Sequence, residues 1–416
     1  MKFNRLINRN RITYTLLFLF ILNISSYAQQ RIEGLSYLDG KPVSVVIKDG
    51  KIVEIKKISE LPKESKKLYI APGLIDNQVN GFIGISFLSE TGGILTLEGV
   101  KKATRALWER GVTTYLPTLI TNSHEELLNI FLKLADFKND KSLLGSIPGF
   151  HLEGPYISPE DGYRGAHSKK FVRPPDWNEF MELYKASGNS IMTVTLAPEV
   201  EGAMEFIRKC SEKGIVVALG HHNATAEIID KAVENGAKIC THLGNGCANA
   251  INRHINPLWP QLSNDKLSIS IICDGFHLNP EEIRVFYKVK GSDNTIVTSD
   301  VTEFAGMPPG LYKILDGEEI ELTADGELRY PAQKVLYGSA SAINKGVQHI
   351  MKVTGCSLAD AIKMSSTNPA KLYGLNDRGS IDTGKRADLI LFKLSDSELV
   401  IKKTYVNGKL VYDASK

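Results

Sequence analysis

Hydrophobic and polar positions follow two different rhythms along this chain. Near its start, Val43-Ser-Val-Val-Ile-Lys-Asp-Gly-Lys-Ile-Val-Glu-Ile55 reads as two short strands joined at Asp49-Gly50, a dipeptide that tolerates the positive φ angles of a tight hairpin turn. The far end repeats this pattern, since Ala387–Phe392 and Thr404–Tyr412 are β-like, with Asn407-Gly408 as a second turn. Between them, apolar runs that end in polar residues alternate with helical stretches. The runs are Gly73–Asp76, Thr114–Thr118, Ile147–Glu153, Ile191–Leu196, Ile215–His221, Lys238–His242, Leu267–Asp274 and Thr295–Asp300. Helical periodicity marks Leu97–Glu109, Glu125–Phe137, Trp177–Ala186, Ala203–Lys213, Thr225–Asn235 and Pro280–Lys288. Eight strand-then-helix units close a (β/α)8 TIM barrel, an α/β fold. The expected organisation is a barrel over residues 71–384 and a small β-sandwich domain built from both termini, 29–70 and 385–416.

The first 28 residues read differently. Lys2, Arg5, Arg9 and Arg11 precede Leu16-Leu-Phe-Leu-Phe-Ile-Leu22, and Ser26-Tyr27-Ala28 offers small residues where a signal peptidase cuts. The apolar core is far shorter than the ~20 residues of a membrane span. Export, to the periplasm after cleavage near Ala28, is expected, with no membrane attachment afterwards. Taking those four residues from the 50 basic ones leaves 46 against 47 acidic residues. A near-neutral mature chain gives no argument for nucleic acid. The five cysteines are odd in number, scattered and without a CxxC pair, which points to buried thiols rather than a disulfide framework or structural zinc.

In a barrel of this kind the strand C-terminal ends carry the chemistry, and here they bear Glu153, His221, His242 and Asp300. One carboxylate and two imidazoles form a catalytic divalent-metal site with a position left for water. The metal would lower the pKa of its water toward ~7, and Asp300 is placed to take the proton and pass it on.

With these residues in place the chain resembles the amidohydrolase superfamily, and within it the N-acetylglucosamine-6-phosphate deacetylases. The resemblance runs from about Pro72 to Gly384. Its motifs are Pro72-Gly-Leu-Ile-Asp-Asn-Gln-Val-Asn-Gly81, His151-Leu-Glu-Gly-Pro155, Gly220-His-His-Asn-Ala-Thr225, Thr241-His-Leu-Gly-Asn245, Asp274-Gly-Phe-His277 and Thr298-Ser-Asp300. It implies Glu153, His221 and His242 as ligands of one divalent metal, Zn²⁺ first and Fe²⁺, Mn²⁺ or Co²⁺ as alternatives, with Asp300 as catalytic acid/base. His222 stands where the family has serine. Gln78 and Asn80 stand where many amidohydrolases carry His-x-His for a second metal, so a single metal is implied. The resemblance further gives His167 the polarisation of the acetyl carbonyl, His277, Asn245 and the Gly246 backbone the sugar, and Arg253 a phosphate. It also implies a homodimer.

Two features depart from the pattern. The family's Tyr-Asn-Ala-Met after Thr-His-Leu is replaced by Gly244-Asn-Gly-Cys247, and a bulky Arg253-His-Ile-Asn-Pro-Leu-Trp-Pro260 follows. Phosphorylated amino sugars are cytoplasmic metabolites, whereas this chain reads as exported. An unphosphorylated N-acetyl sugar, or another small or cyclic amide, therefore stands as an alternative substrate beside the 6-phosphate. A non-catalytic binding protein is disfavoured, because all three ligands and Asp300 are retained.

Overall fold

The computed structural model describes residues 29–65, 67–88, 95–314 and 317–416, so the expected signal peptide lies outside the described residues. Eight parallel strands, Leu74–Val79, Val112–Ile120, Phe150–Glu153, Ile191–Leu196, Val216–Leu219, Ala237–Cys240, Ser268–Ile272 and Thr295–Thr298, pair in sequence order. They are called the first to eighth barrel strands below. A parallel bridge between Val79 and Val301 joins the first strand to the chain leaving the eighth and closes the ring. Most of these strands are buried along their length, as expected where helices cover one face and the barrel interior the other.

The helices sit where periodicity put them. Helix α1, Leu97–Glu109, buries Val100, Ala103, Thr104 and Leu107 on one face, and the Thr96 hydroxyl accepts from the Gly99 N–H to cap its first turn. Ser123 and Asp176 do the same for α2, His124–Phe137, and α3, Trp177–Ala186. α4 and α5 are Ala203–Glu212 and Ala226–Glu234. Two units differ from expectation. After the sixth strand comes an exposed irregular segment, 251–255, and then α6, only Leu258–Ser263, before α7, Pro280–Lys290. After the eighth strand the chain makes a four-stranded antiparallel sheet, Gly310–Lys313, Glu319–Leu322, Leu328–Tyr330 and Val335–Leu336, before the last barrel helix, α8, Ile343–Thr354. This insertion has its own core, in which Phe304 and Tyr337 pack with Ile320, Leu322, Leu328 and Tyr330.

Strands from both ends of the chain form one seven-stranded sheet. Tyr69–Pro72 is its junction, parallel to Gln30–Ser36 on one side and antiparallel to Leu389–Leu394 on the other. The two hairpin tips lie at opposite ends of the strand order, yet they touch. A Cβ on Gly50 would stand 2.7 Å from Asn407 Oδ1, and one on Gly408 would stand 2.7 Å from the Gly50 Cα. The sheet therefore curls over a shared core of Val45, Ile47, Ile52, Leu389, Leu391 and Tyr405. All five cysteines are free, and no helix among the described residues is long and apolar enough to cross a membrane.

Candidate active site

Glu153 is the last residue of the third barrel strand, and His221, His242 and Asp300 each stand two residues beyond the fifth, sixth and eighth. The last three share a rare backbone conformation, with φ of 54°, 29° and 51°. A left-handed turn costs a non-glycine residue on the order of 1–2 kcal/mol, and three at equivalent positions on one barrel rim mark a site where side-chain placement outweighs that cost.

The side chains converge. Glu153 Oε1 lies 3.2 Å from His221 Nε2 and 3.0 Å from His242 Nε2, and the two Nε2 atoms are 3.2 Å apart. His221 Nδ1 meets the Tyr163 carbonyl at 3.0 Å, which fixes the ring proton there and leaves Nε2 as a bare acceptor. Two lone pairs and a carboxylate thus face one point in a buried site, with at most one proton, that of His242, to share among them. A divalent cation resolves this arrangement. Tetrahedral ligands ~2.0–2.1 Å from zinc stand about 3.3 Å from one another, close to the three edges seen here.

Gln78 Nε2 donates to the other Glu153 oxygen at 3.0 Å, and Asn80 Nδ2 donates to Asp300 Oδ1 at 2.8 Å. Burial alone would raise the Glu153 carboxyl, but the His221 and His242 imidazoles, 3.2 and 3.0 Å from it, hold it well below its usual range. Asp300 is driven the other way: burial first, then repulsion from Glu153, push it up to about 7. Two carboxylates on one rim are thereby separated into a permanent anion and a group that titrates near neutrality.

His167 is brought to the same centre, its ring 4.4 Å from that of His221. Its Nδ1 lies 2.8 Å from the Thr121 hydroxyl and 3.4 Å from the Thr121 N–H, and burial holds it neutral. An acceptor at Nδ1 leaves the proton on Nε2. His277 Nδ1 bonds Asp274 Oδ2 at 2.8 Å, while Asp274 also accepts the Ser339 hydroxyl and the N–H groups of Phe276 and His277. Asp274, Thr121 and Tyr163 orient the His277, His167 and His221 rings, which the sequence alone left unsupported. For Asp274 the signal was its three-residue spacing from His277.

The amidohydrolase family model matches residues 69–411. N-acetylglucosamine-6-phosphate deacetylase of Bacillus subtilis is 31% identical over 380 residues, 88% of this chain and 92% of that protein. The Rattus norvegicus enzyme of the same name is 33% identical over 374 residues, covering 87% of this chain and 88% of its own. This chain belongs to the N-acetylglucosamine-6-phosphate deacetylase family of amidohydrolases. Solved structures agree. The deacetylase of Thermotoga maritima superposes with a TM-score of 0.81 at 30% identity, over 92% of this chain and all of that one. That of Mycobacterium smegmatis, a variant in complex with N-acetyl-D-glucosamine-6-phosphate, also gives 0.81 at 25% identity, over 92% and 99%.

As a deacetylase of this family, the enzyme opens its centre into a cavity of about 670 Å³, walled by Glu153, His167, His221, His242, Asn245, His277 and Asp300. Gly246 is not on this wall. It packs behind the centre, where a Cβ would stand 2.7 Å from the His221 backbone N. Arg253 is the residue the structure does not bring in. It is exposed and off the cavity wall, because 251–255 has neither strand nor helix to aim it inward and its carbonyl is tied to the Trp259 indole at 3.0 Å.

Proposed function

We propose that this enzyme hydrolyses the acetamide of N-acetylglucosamine 6-phosphate to acetate and the free amine. Glu153, His221 and His242 would hold one divalent ion, with zinc the first choice and Fe²⁺, Mn²⁺ or Co²⁺ compatible with the same donors. When bound, the ion supplies a positive charge that lowers the pKa of a water toward ~7 and polarises the acetyl carbonyl. The remaining steps belong to the chain. Asp300, with Oδ1 held by Asn80, takes the proton from the attacking water and returns it to the departing nitrogen. His167 donates from Nε2 to the carbonyl oxygen as negative charge develops there. His277, fixed through Asp274, and Asn245 hold the sugar.

The observation that carries this reading is the Glu153–His221–His242 triangle, 3.0–3.2 Å on each edge, beside an aspartate poised near neutrality. The relatives favour the phosphorylated sugar over the unphosphorylated alternative. The test is acetate release from N-acetylglucosamine with and without its 6-phosphate, together with metal analysis of wild type and His242→Ala. Acetate release with one metal per wild-type chain and none in the variant is expected. No acetate from either sugar, or full metal content in His242→Ala, overturns it.

We also propose an exported, homodimeric mature enzyme. Export rests on the basic start, the short apolar core and Ser26-Tyr27-Ala28; the dimer rests on the family resemblance. Mass spectrometry of protein from its native host should find an N-terminus near Gln29, and size-exclusion chromatography with light scattering should give twice the chain mass.

A further inference from the structure

Ser339 bridges two loops of the catalytic rim. It follows the last strand of the four-stranded insertion, is 1% exposed, and lies behind the cavity wall rather than on it. Its backbone is bound to the loop that carries Asp300: the Ser339 N–H donates to the Asp300 carbonyl at 2.9 Å, and the Ser339 carbonyl accepts from the Thr302 N–H at 2.9 Å and the Thr302 hydroxyl at 3.2 Å. Val301 and Ser339 pair as a parallel bridge. Gly338 permits this close approach, since it adopts φ 57° and a Cβ there would stand 2.9 Å from the Asp300 carbonyl.

The side chain reaches the other way. Ser339 Oγ accepts from the Ser341 N–H at 3.0 Å and donates to Asp274 Oδ2 at 2.9 Å. The same oxygen takes His277 Nδ1–H at 2.8 Å, and Oδ1 takes the N–H groups of Phe276 at 2.9 Å and His277 at 3.0 Å. Four donors fill the lone pairs of this carboxylate. Three of them come from the turn that contains Asp274 itself and would move with it; the Ser339 hydroxyl comes from the chain bound to the Asp300 loop. At the tip of that turn Gly275 is exposed, with φ 93°. One charge-assisted hydrogen bond thus ties the turn, and the His277 ring on it, to the loop of the catalytic aspartate. The sugar that His277 holds and the nitrogen that Asp300 protonates belong to one substrate, so the spacing of the two side chains must be fixed, and a ~1 Å misplacement can cost ~10²-fold.

We propose that Ser339 is a positioning residue, whose hydroxyl acts through Asp274 to set the His277 ring at the spacing from Asp300 that the sugar requires. This rests on His277 holding the sugar and Asp300 carrying the proton, as proposed above. The test measures kcat and KM for acetate release from N-acetylglucosamine 6-phosphate with wild type, Ser339→Ala, His277→Ala and the double variant. Alanine keeps the backbone bonds to the Asp300 loop, so the proton carrier stays in place. The lost hydrogen bond to a charged group predicts that Ser339→Ala raises KM about tenfold, with kcat changed far less. In the His277→Ala background the same substitution should add little, because the ring it positions is gone. A wild-type KM in Ser339→Ala, with KM raised in His277→Ala, overturns the role of Ser339 alone. Additive losses, a loss confined to kcat, or a collapsed fold in Ser339→Ala also overturn it, because each shows a general structural role. A wild-type KM in His277→Ala overturns the sugar-holding reading of His277 and this inference with it.

Discussion

One added methyl group behind the metal site should disable it. Gly246 is outside the left-handed region, so alanine is conformationally admissible there and the obstacle is space. A Cβ at this position would lie 2.7 Å from His221 N, 3.2 Å from His221 Cα and 3.5 Å from His242 Cε1. Restoring 2.7 Å to the 3.4 Å of ordinary contact requires about 0.7 Å of movement, and the neighbour that must give is backbone. Metal ligands tolerate about ±0.2 Å. His221 cannot absorb that shift by rotating, because Tyr163 O fixes its Nδ1. Changes that disturb ligand support typically weaken metal binding ~10–100-fold. Gly246→Ala should therefore lose metal to a chromophoric chelator at 10–100-fold lower chelator concentration than wild type, with turnover falling in proportion to metal content. Its thermal midpoint, measured without metal, should match that of metal-free wild type within a few degrees. Wild-type metal affinity in Gly246→Ala would refute the claim that this glycine buttresses the ligands.

Replacing Asp300 by Asn should leave metal content and fold intact while lowering turnover ~10²–10⁴-fold; near-native turnover would show that another group carries the proton. Asp76 is fully buried with Oδ2 unpartnered, and burial lifts its carboxyl to about 6 despite bonds from Ser299, Gln78 and Thr298. Its folded pKa exceeds the unfolded value, so the neutral form stabilises the fold below pH ~4 and that contribution is lost as pH rises through about 6, at up to about 3 kcal/mol. Urea unfolding of Asp76→Asn should be flatter than wild type between pH 4 and 7, and parallel curves would refute the shift.

The barrel was legible because most of its strands are buried on both faces and so appear as apolar runs, and because those runs turn polar where they reach the rim. Both hairpins were legible for a local reason: Asp49-Gly50 and Asn407-Gly408 each carry two positive φ angles. The insertion was not, since strands of two to four residues contain too few positions to display an alternation. The convergence of Glu153, His221, His242 and Asp300 followed from their places at the C-terminal ends of the third, fifth, sixth and eighth strands, which a regular fold maps onto one rim. Arg253 fails for the converse reason. It lies in an irregular segment, 251–255, where position in the sequence does not determine direction. Asp274 was visible but was read as the end of the seventh strand, and only the folded loop shows it accepting from His277, Ser339 and two backbone N–H groups.

The two amides of the first strand explain how one rim serves both metal binding and proton transfer. A histidine pair there would present lone pairs and favour a second cation, whereas Gln78 and Asn80 present N–H groups. Each occupies one oxygen of a different carboxylate: Gln78 takes Glu153 Oε2 and Asn80 takes Asp300 Oδ1. Glu153 is left with Oε1 directed at the two imidazoles, a single-oxygen ligand with fixed orientation. Asp300 is left with Oδ2 for the proton, beside the packed backbone of Gly338. The two first-strand amides therefore leave Asp300 one free oxygen and give the His221–His242–Glu153 centre a carboxylate whose orientation does not depend on the metal.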